Sequence, residues 1–444
     1  MRLTEFRKGL PDGGLPVGGK TSTMRELKMK LTRRILMGAA AGSFLLSAGA
    51  AMAQQTELTF WSWRQEDRAF YQDMIKKFQA KEPNISIKFE TYAPENYQTI
   101  LSTALAAGRG PDVIQVRAYG NLETIATPGY LLALDKQNVP ELASFPDAAL
   151  AAETLRADGK VYAVPFAMQA QLVVYNKKIF KDAGVNPPKT WDELVSVAQA
   201  LKAKNINPFA NGTATAWQNE TIVGGLLSSM LGKQFEEDIV SGKANFTDPR
   251  FVNALTKLKD ISQYFSPNFT GVDYPSSQQL FVAGRAAMFA GGSYEIANFK
   301  NQNPTLDLGV FPAPVLKAGD QALIATYYDG GYAVNAKTEK KDAALKFVRF
   351  LATPEYGTAF TNTLKNLSPI KGIKIEDPIT QEVAKLAENS MSYLMLVRFR
   401  YQEPSGSVLL QSNVQKMLAG QQTPEQAAAE INKGIATYYK PFQK

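Results

Sequence analysis

Between residues 57 and 116 the sequence alternates between two hydrophobic periods, one typical of strands and the other typical of helices. Three short segments have the strand pattern, and they lie at 57–63, 85–89 and 113–116. The two segments between them place apolar side chains on one helical face: Phe70, Tyr71, Met74, Ile75 and Phe78, followed by Tyr97, Ile100, Leu101, Ala104 and Leu105. This β-α-β-α-β order predicts the opening of a doubly wound α/β lobe.

The same alternation starts again after residue 159. Predicted strands lie at 159–165, 172–175, 285–290 and 332–334. Three predicted helices begin with recognisable N-terminal signals: a capping box of Thr190 and Glu193, Asp248 before Pro249, and a capping box of Thr423 and Gln426. The fold class predicted from this order is α/β, with two doubly wound lobes.

The positive charge of the chain is concentrated in its first 53 residues. The whole sequence has 49 Lys and Arg against 41 Asp and Glu, a net charge of +8. Residues 1–53 hold nine of the basic and three of the acidic residues, which leaves 40 against 38 in the remainder. Since the remainder is nearly neutral and has no basic run interleaved with aromatic residues, we expect no nucleic-acid partner.

The first 53 residues have the pattern of an export signal. A basic stretch, 25–34, precedes an uncharged run, 35–53, that closes on Ala51, Met52 and Ala53. We predict a signal peptide over 1–53 that is cleaved before Gln54. The alternative is a transmembrane anchor, although ten of the 19 residues in the run are Ala or Gly.

The same segment bears on the export route. Residues 32–36, Thr-Arg-Arg-Ile-Leu, are similar to the twin-arginine export motif, and a plain secretory signal is the alternative. No cysteine follows the apolar run, so we expect no lipid anchor. These features predict a protein that is free in the periplasm.

The sequence contains neither histidine nor cysteine. It therefore has no imidazole base, no thiolate nucleophile, no disulfide and no His or Cys metal ligand. Of the common enzyme classes, the composition leaves those that use carboxylates alone. We predict no catalytic residues, no metal and no cofactor.

Short motifs along the chain resemble one known family when they are taken in order. They are 106–108 with 110–113, 158–165, 174–177 with Phe180 and Gly184, 190–194, 284–288 with 292–294, 330–332, Ala343 and Ala344 with Phe347, Phe350 and Leu351, and 423–427. Each piece is weak alone, because several are ordinary turns and caps. Their order and spacing resemble the family-1 bacterial extracellular solute-binding proteins, the carbohydrate-binding subunits of ABC importers.

The resemblance implies a periplasmic-binding-protein-like (type II) fold, in which two lobes joined by a hinge close around a solute. The N-terminal lobe would comprise 54–165 and 328–372, and the C-terminal lobe 166–327 and 373–444. The chain would then cross between lobes near Pro165, Tyr327 and Ile373. Closure would be a hinge motion that is favoured only by contacts of the solute with both lobes.

A sugar presents apolar C–H faces and a rim of hydroxyls, so its site needs aromatic side chains and groups that donate and accept hydrogen bonds. Such residues are expected in loops at the carboxyl ends of strands and around the cleft between the lobes. The candidates are Trp61, Trp63, Arg64, Gln115, Tyr119, Gln169, Trp217, Ser293, Tyr294, Tyr328, Asp329 and Arg398.

Several candidates also have a plain structural interpretation. The structural alternative for Trp61 and Trp63 is that one is buried and the other exposed. Trp217 is placed in a loop, 211–219, as an aromatic surface for a sugar. Free backbone N–H groups near Ser293 would favour hydroxyls or anions, and Asp329 is either a hydroxyl acceptor or part of a turn.

The resemblance predicts a monomeric periplasmic protein that captures a sugar or polyol and delivers it to an ABC permease. One alternative is an exported carbohydrate-active enzyme with paired carboxylates. Another is a binding protein for glycerol phosphate or for ferric ion, the latter because Tyr327 and Tyr328 are adjacent. Arg398 is expected to contact the solute and Arg400 to brace the apolar stretch around it.

Overall fold

The computed structural model describes residues 55–443. The predicted signal peptide over 1–53 lies outside the described residues. The elements of the first part of the chain are β1 (Thr56–Ser62), α1 (Arg68–Lys81), β2 (Ile85–Thr91), α2 (Pro94–Ala106), β3 (Val113–Arg117), α3 (Gly120–Ala126), α4 (Asp147–Ala152), β4 (Thr154–Leu155), β5 (Lys160–Val161) and β6 (Val164–Pro165).

The middle of the chain is richer in helix. Its elements are β7 (Met168–Asn176), α5 (Lys177–Ala183), α6 (Trp191–Ala203), β8 (Asn207–Phe209), α7 (Ala216–Ser241), α8 (Pro249–Ile261), α9 (Tyr274–Val282), β9 (Ala286–Gly292), α10 (Glu295–Gln302), β10 (Leu308–Phe311) and β11 (Ile324–Tyr328). The last part contains β12 (Gly330–Val334), α11 (Lys341–Leu351), α12 (Pro354–Leu364), α13 (Pro378–Ala387), β13 (Ser390–Ser392), α14 (Leu394–Arg398), α15 (Gly406–Leu418) and α16 (Pro424–Ala436).

The first large sheet has the strand order β2-β1-β3-β12-β6. Strands β1, β2 and β3 are parallel, as the β-α-β-α-β pattern predicts, and β12 is antiparallel to both β3 and β6. Helix α1 buries the five apolar residues on its predicted face. The carboxyl ends of β1 and β3 therefore lie side by side, which places the residues after them at one edge of the sheet.

The second large sheet has the order β13-β11-β7-β9-β8, and β10 also pairs with β7. Strand β7 is its longest strand and is antiparallel to β9, β10 and β11. Each large sheet has its own apolar core, the first around Phe60 and the second around Leu226. The prediction of two α/β lobes is confirmed.

Two short crossings join the sheets at adjacent positions. The chain passes from β6 to β7 through Phe166 and Ala167, and it returns from β11 to β12 through Asp329. The backbone N–H of Asp329 donates to the carbonyl of Ala167 over 3.0 Å, so the two crossings are hydrogen-bonded to each other. The carbonyl of Leu367 accepts a hydrogen bond from the N–H of Met168 over 2.8 Å. The segment around Leu367 therefore lies next to the first crossing. The lobe boundaries given above stay predictions.

The helix α7 corrects one expectation about Trp217. The sequence places Trp217 in a loop over 211–219, whereas the structure places it in the first turn of a 26-residue helix. Residues 218–228 of this helix are buried on all sides, so no amphipathic stripe marks the helix in the sequence. The helix is broken at Gly232, whose φ of 74° is open to glycine but unfavourable for other residues.

Candidate functional site

The carboxyl end of β1 carries two tryptophans whose surroundings differ. Trp61 is partly buried, and its ring lies 4.8 Å from that of Tyr92. Trp63 is buried against Phe166, and the guanidinium of Arg117 lies 4.5 Å from the centre of its ring. This cation–π contact joins the end of β3 to the end of β1, beside the first crossing.

Arg64 follows these tryptophans and is held in a buried ion pair. Its Nε lies 2.7 Å from Asp67 Oδ2 and 3.3 Å from Glu66 Oε1. Burial alone would lower the pKa of Arg64, but the charges of Asp67 and Glu66 hold it above its usual value. Arg64 is therefore a fixed positive charge at this edge of the first sheet.

The Gln115 amide is fully engaged inside the first lobe. Ser62 donates its hydroxyl hydrogen bond to Gln115 Oε1, and Gln115 Nε2 donates to the hydroxyl of Tyr71 over 3.1 Å. The Tyr71 hydroxyl in turn lies 2.8 Å from that of Tyr332. Gln115 is wholly buried in this network, so it stabilises the position of the loop after β1.

Strand β7 presents two glutamines on one face, where the second lobe meets the hinge. Gln169 and Gln171 are both completely buried. Gln169 Oε1 accepts a hydrogen bond from the Ser293 hydroxyl over 3.1 Å, while its Nε2 has no partner. Neither the nitrogen nor the oxygen of the Gln171 side chain has a partner among the described residues. Both ends of the Gln171 amide are therefore free to form hydrogen bonds.

Ser293 is tied into the sheet. Its backbone N–H donates to the carbonyl of Ala170 over 2.9 Å, and its hydroxyl accepts from the N–H of Ala170 over 3.2 Å. The expectation of a free N–H at Ser293 is therefore wrong, because the β7–β9 ladder continues to this residue. Ser293 orients Gln169.

Three aromatic rings lie together beside the glutamines. The ring of Trp217 lies 4.5 Å from that of Tyr274 and 6.5 Å from that of Tyr294, both edge-on. All three side chains are partly exposed. Burial raises the pKa of Tyr294 far above its usual range, and the side chains of Thr221 and Gln171 oppose that rise. Tyr294 is therefore close to Gln171, although no hydrogen bond within 3.5 Å joins the two side chains.

Further polar atoms without partners surround this group. A buried polar atom normally has a hydrogen bond, because leaving it without one costs about 1–3 kcal/mol. In the described part of the second lobe, the exceptions near the glutamines are both amide atoms of Gln218, Asn219 Oδ1, Thr213 Oγ1, Glu295 Oε1 and the Tyr393 hydroxyl. A Cβ added at Gly224 of α7 would touch both Gln171 and Tyr393, so these two residues are neighbours.

Glu295 is the acidic member of this set. It is 1% exposed, and its Oε2 accepts a hydrogen bond from Gln278 Nε2 over 2.8 Å. Burial raises the pKa of Glu295 to about 7. The charge of Glu66 adds to that rise and the charge of Arg64 opposes it, although both belong to the other lobe.

The remaining predicted residues lie around the hinge. Asp329 forms the second crossing, and its neighbour Gly330 pairs with Arg117. The Tyr119 hydroxyl accepts from the N–H of Tyr328 over 3.1 Å, which links the first sheet to the end of β11. Arg398 is exposed. Tyr119, Tyr328 and Arg398 line one cavity of about 830 Å³, whose wall also includes parts of α4 and α7.

The structure thus separates the predicted residues into three groups. Gln169, Trp217 and Tyr294 lie with Gln171 on the second lobe, and Trp63, Arg64 and Asp329 lie on the first lobe and hinge. We call this place, with Arg117 and Glu295, the interlobe site. Tyr119, Tyr328 and Arg398 lie together in the neighbouring cavity. Trp61, Gln115 and Ser293 pack or hydrogen-bond behind the site.

Sequence reasoning left Gln218, Tyr274, Glu295 and Tyr393 off the set of candidates. A signal for the first of them exists, because Gln218, Asn219 and Glu220 are three consecutive polar residues in a helix that is buried on every side. Glu295 directly follows the candidate Tyr294. Tyr274 is brought to Trp217 only by the tertiary fold, so no local pattern indicates it.

The described residues show no metal centre. Between residues 55 and 443 no group of three or more Asp or Glu side chains is arranged to hold a metal ion. In the same range, no helix has the length and apolarity needed to span a bilayer.

Comparison with known proteins places the chain in a family. The model of the bacterial extracellular solute-binding protein family matches residues 61–358, which is 298 of 444 residues. A multiple sugar-binding protein of Streptococcus mutans is 25% identical over 365 residues, covering 79% of this chain and 84% of that protein. A diacetylchitobiose-binding protein of Streptomyces coelicolor is 27% identical over 293 residues, covering 64% and 66%.

Solved structures share the fold over almost their full length. A chitin oligosaccharide binding protein is 26% identical, with a TM-score of 0.74, and the match covers 86% of this chain and 99% of that one. A binding protein solved in complex with raffinose is 20% identical, with a TM-score of 0.72, covering 88% and 100%. The two-lobed fold is therefore that of the periplasmic sugar-binding proteins. The chain belongs to the family of bacterial extracellular solute-binding proteins.

Proposed function

We propose that this protein captures a sugar or a related polyol in the interlobe site and delivers it to the permease of an ABC importer. The names of the similar proteins, which bind chito-oligosaccharides, raffinose or several sugars, support a carbohydrate solute. The protein would act as a monomer, and it would release the solute without chemical change.

The unpartnered amide of Gln171 carries this proposal. A buried amide with both ends free destabilises the ligand-free protein, so its presence calls for a function. A sugar hydroxyl both donates and accepts hydrogen bonds and can therefore satisfy either end of the amide. The rings of Trp217 and Tyr294 lie beside it and offer the flat apolar surface that sugar C–H groups need.

The other residues take roles that follow from their positions. We assign Gln169, Gln171, Asp329 and the pair of Arg64 with Glu66 to hydroxyl contacts. We assign Trp217, Tyr294 and Trp63 to the aromatic surfaces of the site. Tyr119, Tyr328 and Arg398 would contact the solute only if it extends into the neighbouring cavity.

The test replaces Gln171 with leucine, which has a similar size and no polar atoms. We expect Gln171→Leu to unfold at a higher denaturant concentration than the wild type, because a buried amide without partners has been removed. We also expect it to bind the solute about ten- to a hundredfold more weakly, since about 1.5–3 kcal/mol of hydrogen bonding is lost. A thermal-shift screen against sugars and polyols identifies the solute first, and calorimetry then measures both proteins.

Gln422→Leu is the matched control for this test. Gln422 Oε1 also lacks a partner, but the residue precedes α16 and is not among the residues of the interlobe site. We expect this control to bind the solute as the wild type does. If Gln171→Leu binds equally well, Gln171 does not contact the solute, and if no sugar or polyol binds the wild type, the proposed function is wrong.

We further propose that the protein reaches the periplasm by cleavage before Gln54. Mass spectrometry of the exported protein would then find Gln54 at its N-terminus. A product that retains 35–53 would indicate an anchor instead. Incubation of the purified protein with the solute, followed by chromatography, tests the alternative of a carbohydrate-active enzyme, because turnover would convert the solute.

A further inference from the structure

Two arginines from different parts of the chain meet beside the hinge. Arg117 ends β3 in the first lobe. Arg400 follows α14, and its carbonyl packs so tightly on Gly120 that an added Cβ there would lie 1.8 Å from the oxygen. Because Gly120 is only three residues after Arg117, the two arginines belong to adjoining segments of opposite lobes.

Neither arginine has a carboxylate partner within 4.0 Å among residues 55–443. Three other arginines are paired with carboxylates: the buried Arg64 with Asp67, the exposed Arg156 with Glu123, and the half-buried Arg250 with Asp238 and Asp248. Arg117 donates one long hydrogen bond of 3.5 Å to the carbonyl of Pro94. Arg400 makes no side-chain hydrogen bond within the described range. Two partly buried guanidinium groups are thus left with most of their donors free.

The neighbouring carboxylates balance this charge only in part. Burial lowers the pKa of Arg117, Asp329 raises it, and the like charge of Arg400 lowers it again. Asp329 therefore offsets one of the two positive charges. Glu153 is completely buried without a hydrogen-bond partner, and burial raises its pKa well above the usual range, which favours its neutral form.

Glu220 is the other carboxylate near Arg400. It accepts hydrogen bonds from the Ser407 hydroxyl over 2.9 Å and from Gln411 Nε2 over 2.7 Å, so its oxygens are already engaged. Burial raises the pKa of Glu220, while the charge of Arg400 opposes that rise. The two arginines therefore retain an excess of positive charge where the lobes meet.

We propose that the solute carries an acidic group, a carboxylate or a phosphate, that is held between Arg117 and Arg400. This inference rests on the proposed function and narrows its substrate class to acidic sugars or polyols. A planar carboxylate or a phosphate accepts two hydrogen bonds from each guanidinium in the fork geometry that arginine offers. The remainder of the solute would occupy the interlobe site around Gln171.

The proposal also accounts for selective closure. With no anion present, bringing the lobes together places two like charges close to each other, which opposes the closed state. An anion between them turns that repulsion into attraction, so only a solute that carries the group stabilises closure fully. A neutral sugar of the same size satisfies Gln171 but leaves the two arginines facing each other.

The experiment compares matched acidic and neutral probes on the exported protein. Calorimetry at low salt measures digalacturonate against a neutral disaccharide, and glycerol 3-phosphate against glycerol. We expect the acidic member of at least one pair to bind at least tenfold more tightly than its neutral counterpart. The first pair tests a carboxylate as the acidic group, and the second tests a phosphate.

Charge-removing variants then locate the acidic group. Arg400→Gln and Arg117→Gln should each weaken the acidic probe about ten- to a hundredfold, as expected for loss of a charged hydrogen-bond donor. Arg400 lies outside the interlobe site, so Arg400→Gln should change the affinity for the neutral probe less than threefold. Arg285→Gln removes an exposed arginine at the start of β9 and should leave both affinities unchanged. Should Arg117→Gln fail to fold, Arg400→Gln gives the answer alone.

The outcomes separate this inference from the proposed function. If neutral sugars bind as tightly as acidic ones, or if neither arginine variant weakens the acidic probe, the acidic group is wrong while sugar binding stands. If neither acidic nor neutral sugars nor polyols bind, the proposed function fails and this inference fails with it.

Discussion

At the scale of single residues, Glu295 is the side chain whose charge the fold controls most clearly. It is 1% exposed, one of its oxygens has no partner, and burial raises its pKa from 4.5 to about 7. Between those two values the folded protein holds a proton that the unfolded chain has lost. The contribution of Glu295 to stability is therefore complete below about pH 4.5 and is lost as the pH rises through about 7.

We predict that Glu295→Gln removes this pH dependence. Each pKa unit corresponds to about 1.4 kcal/mol, so ionisation of Glu295 costs the folded protein about 3 kcal/mol by pH 8. The free energy of unfolding of the variant, relative to the wild type, should rise by about that amount between pH 4 and pH 8. Urea denaturation at both pH values measures it. A difference between the two proteins that stays constant with pH would contradict the assignment.

The residues also show how far sequence reasoning reaches. Residues two positions apart on a strand share a face, so alternation along β1 does not predict that Trp63 is buried while Trp61 is only partly buried. Strand β1 ends at Ser62, so Trp63 lies beyond it. Gln115 has the residue type and strand-end position of a ligand contact, but its amide is used by Ser62 and Tyr71. The side-chain amide of Gln171 stays free because no distant segment of the described residues supplies a hydrogen-bond partner for it. Since such partners come from the tertiary fold, the sequence alone does not show which strand-end amide stays free.

At the scale of elements, α7 matters most to the site. It brings Trp217 to Tyr294 at one end, and its middle packs against β7 where Gln171 lies. Gly224 makes this approach close. A Cβ at Gly224 would lie 2.8 Å from the ring of Tyr393 and 3.0 Å from Gln171 Cγ, both of which are buried.

We predict that Gly224→Ala destabilises the protein although alanine favours helices. The helical preference adds about 1 kcal/mol, whereas overpacking a closed core costs about 1–3 kcal/mol. The net loss should be up to about 2 kcal/mol in urea denaturation. Solute affinity should also fall, because the displaced side chain is Gln171.

Gly271→Ala serves as the control for this substitution. An added Cβ at Gly271 meets no atom within 4 Å, so we expect a change within about 0.5 kcal/mol. If Gly224→Ala were as stable as this control and bound the solute normally, the close packing of α7 on β7 would not hold.

Elements with local signals are predicted well, and elements without them are not. The capping boxes at Thr190 and Thr423 are both formed as the sequence indicates. In contrast, the predicted strand over 159–165 is split into β5 and β6, and the helix α7 is missed around Trp217. A hydrophobic period and N-terminal capping residues identify an amphipathic helix in a sequence. A helix that is buried on all sides has no polar face, so its sequence lacks that period.

At the scale of the whole molecule, the hinge explains why the site lies where it does. The crossings at 166–167 and at Asp329 are hydrogen-bonded to each other, so the two sheets are joined at one place. The charges of Arg64 and Glu66, which follow β1, act on the pKa of Glu295, which follows β9. The order of α/β elements predicts two lobes, but the contacts between them depend on residues more than 100 positions apart, such as Tyr119 with Tyr328.

A crystal structure of the protein with its solute tests the central claim most directly. We predict density for the solute in the interlobe site, with a hydroxyl within hydrogen-bonding distance of the Gln171 amide and a C–H face against Trp217 or Tyr294. Density confined to the cavity lined by Tyr119, Tyr328 and Arg398, with the Gln171 amide still without a partner, would contradict it.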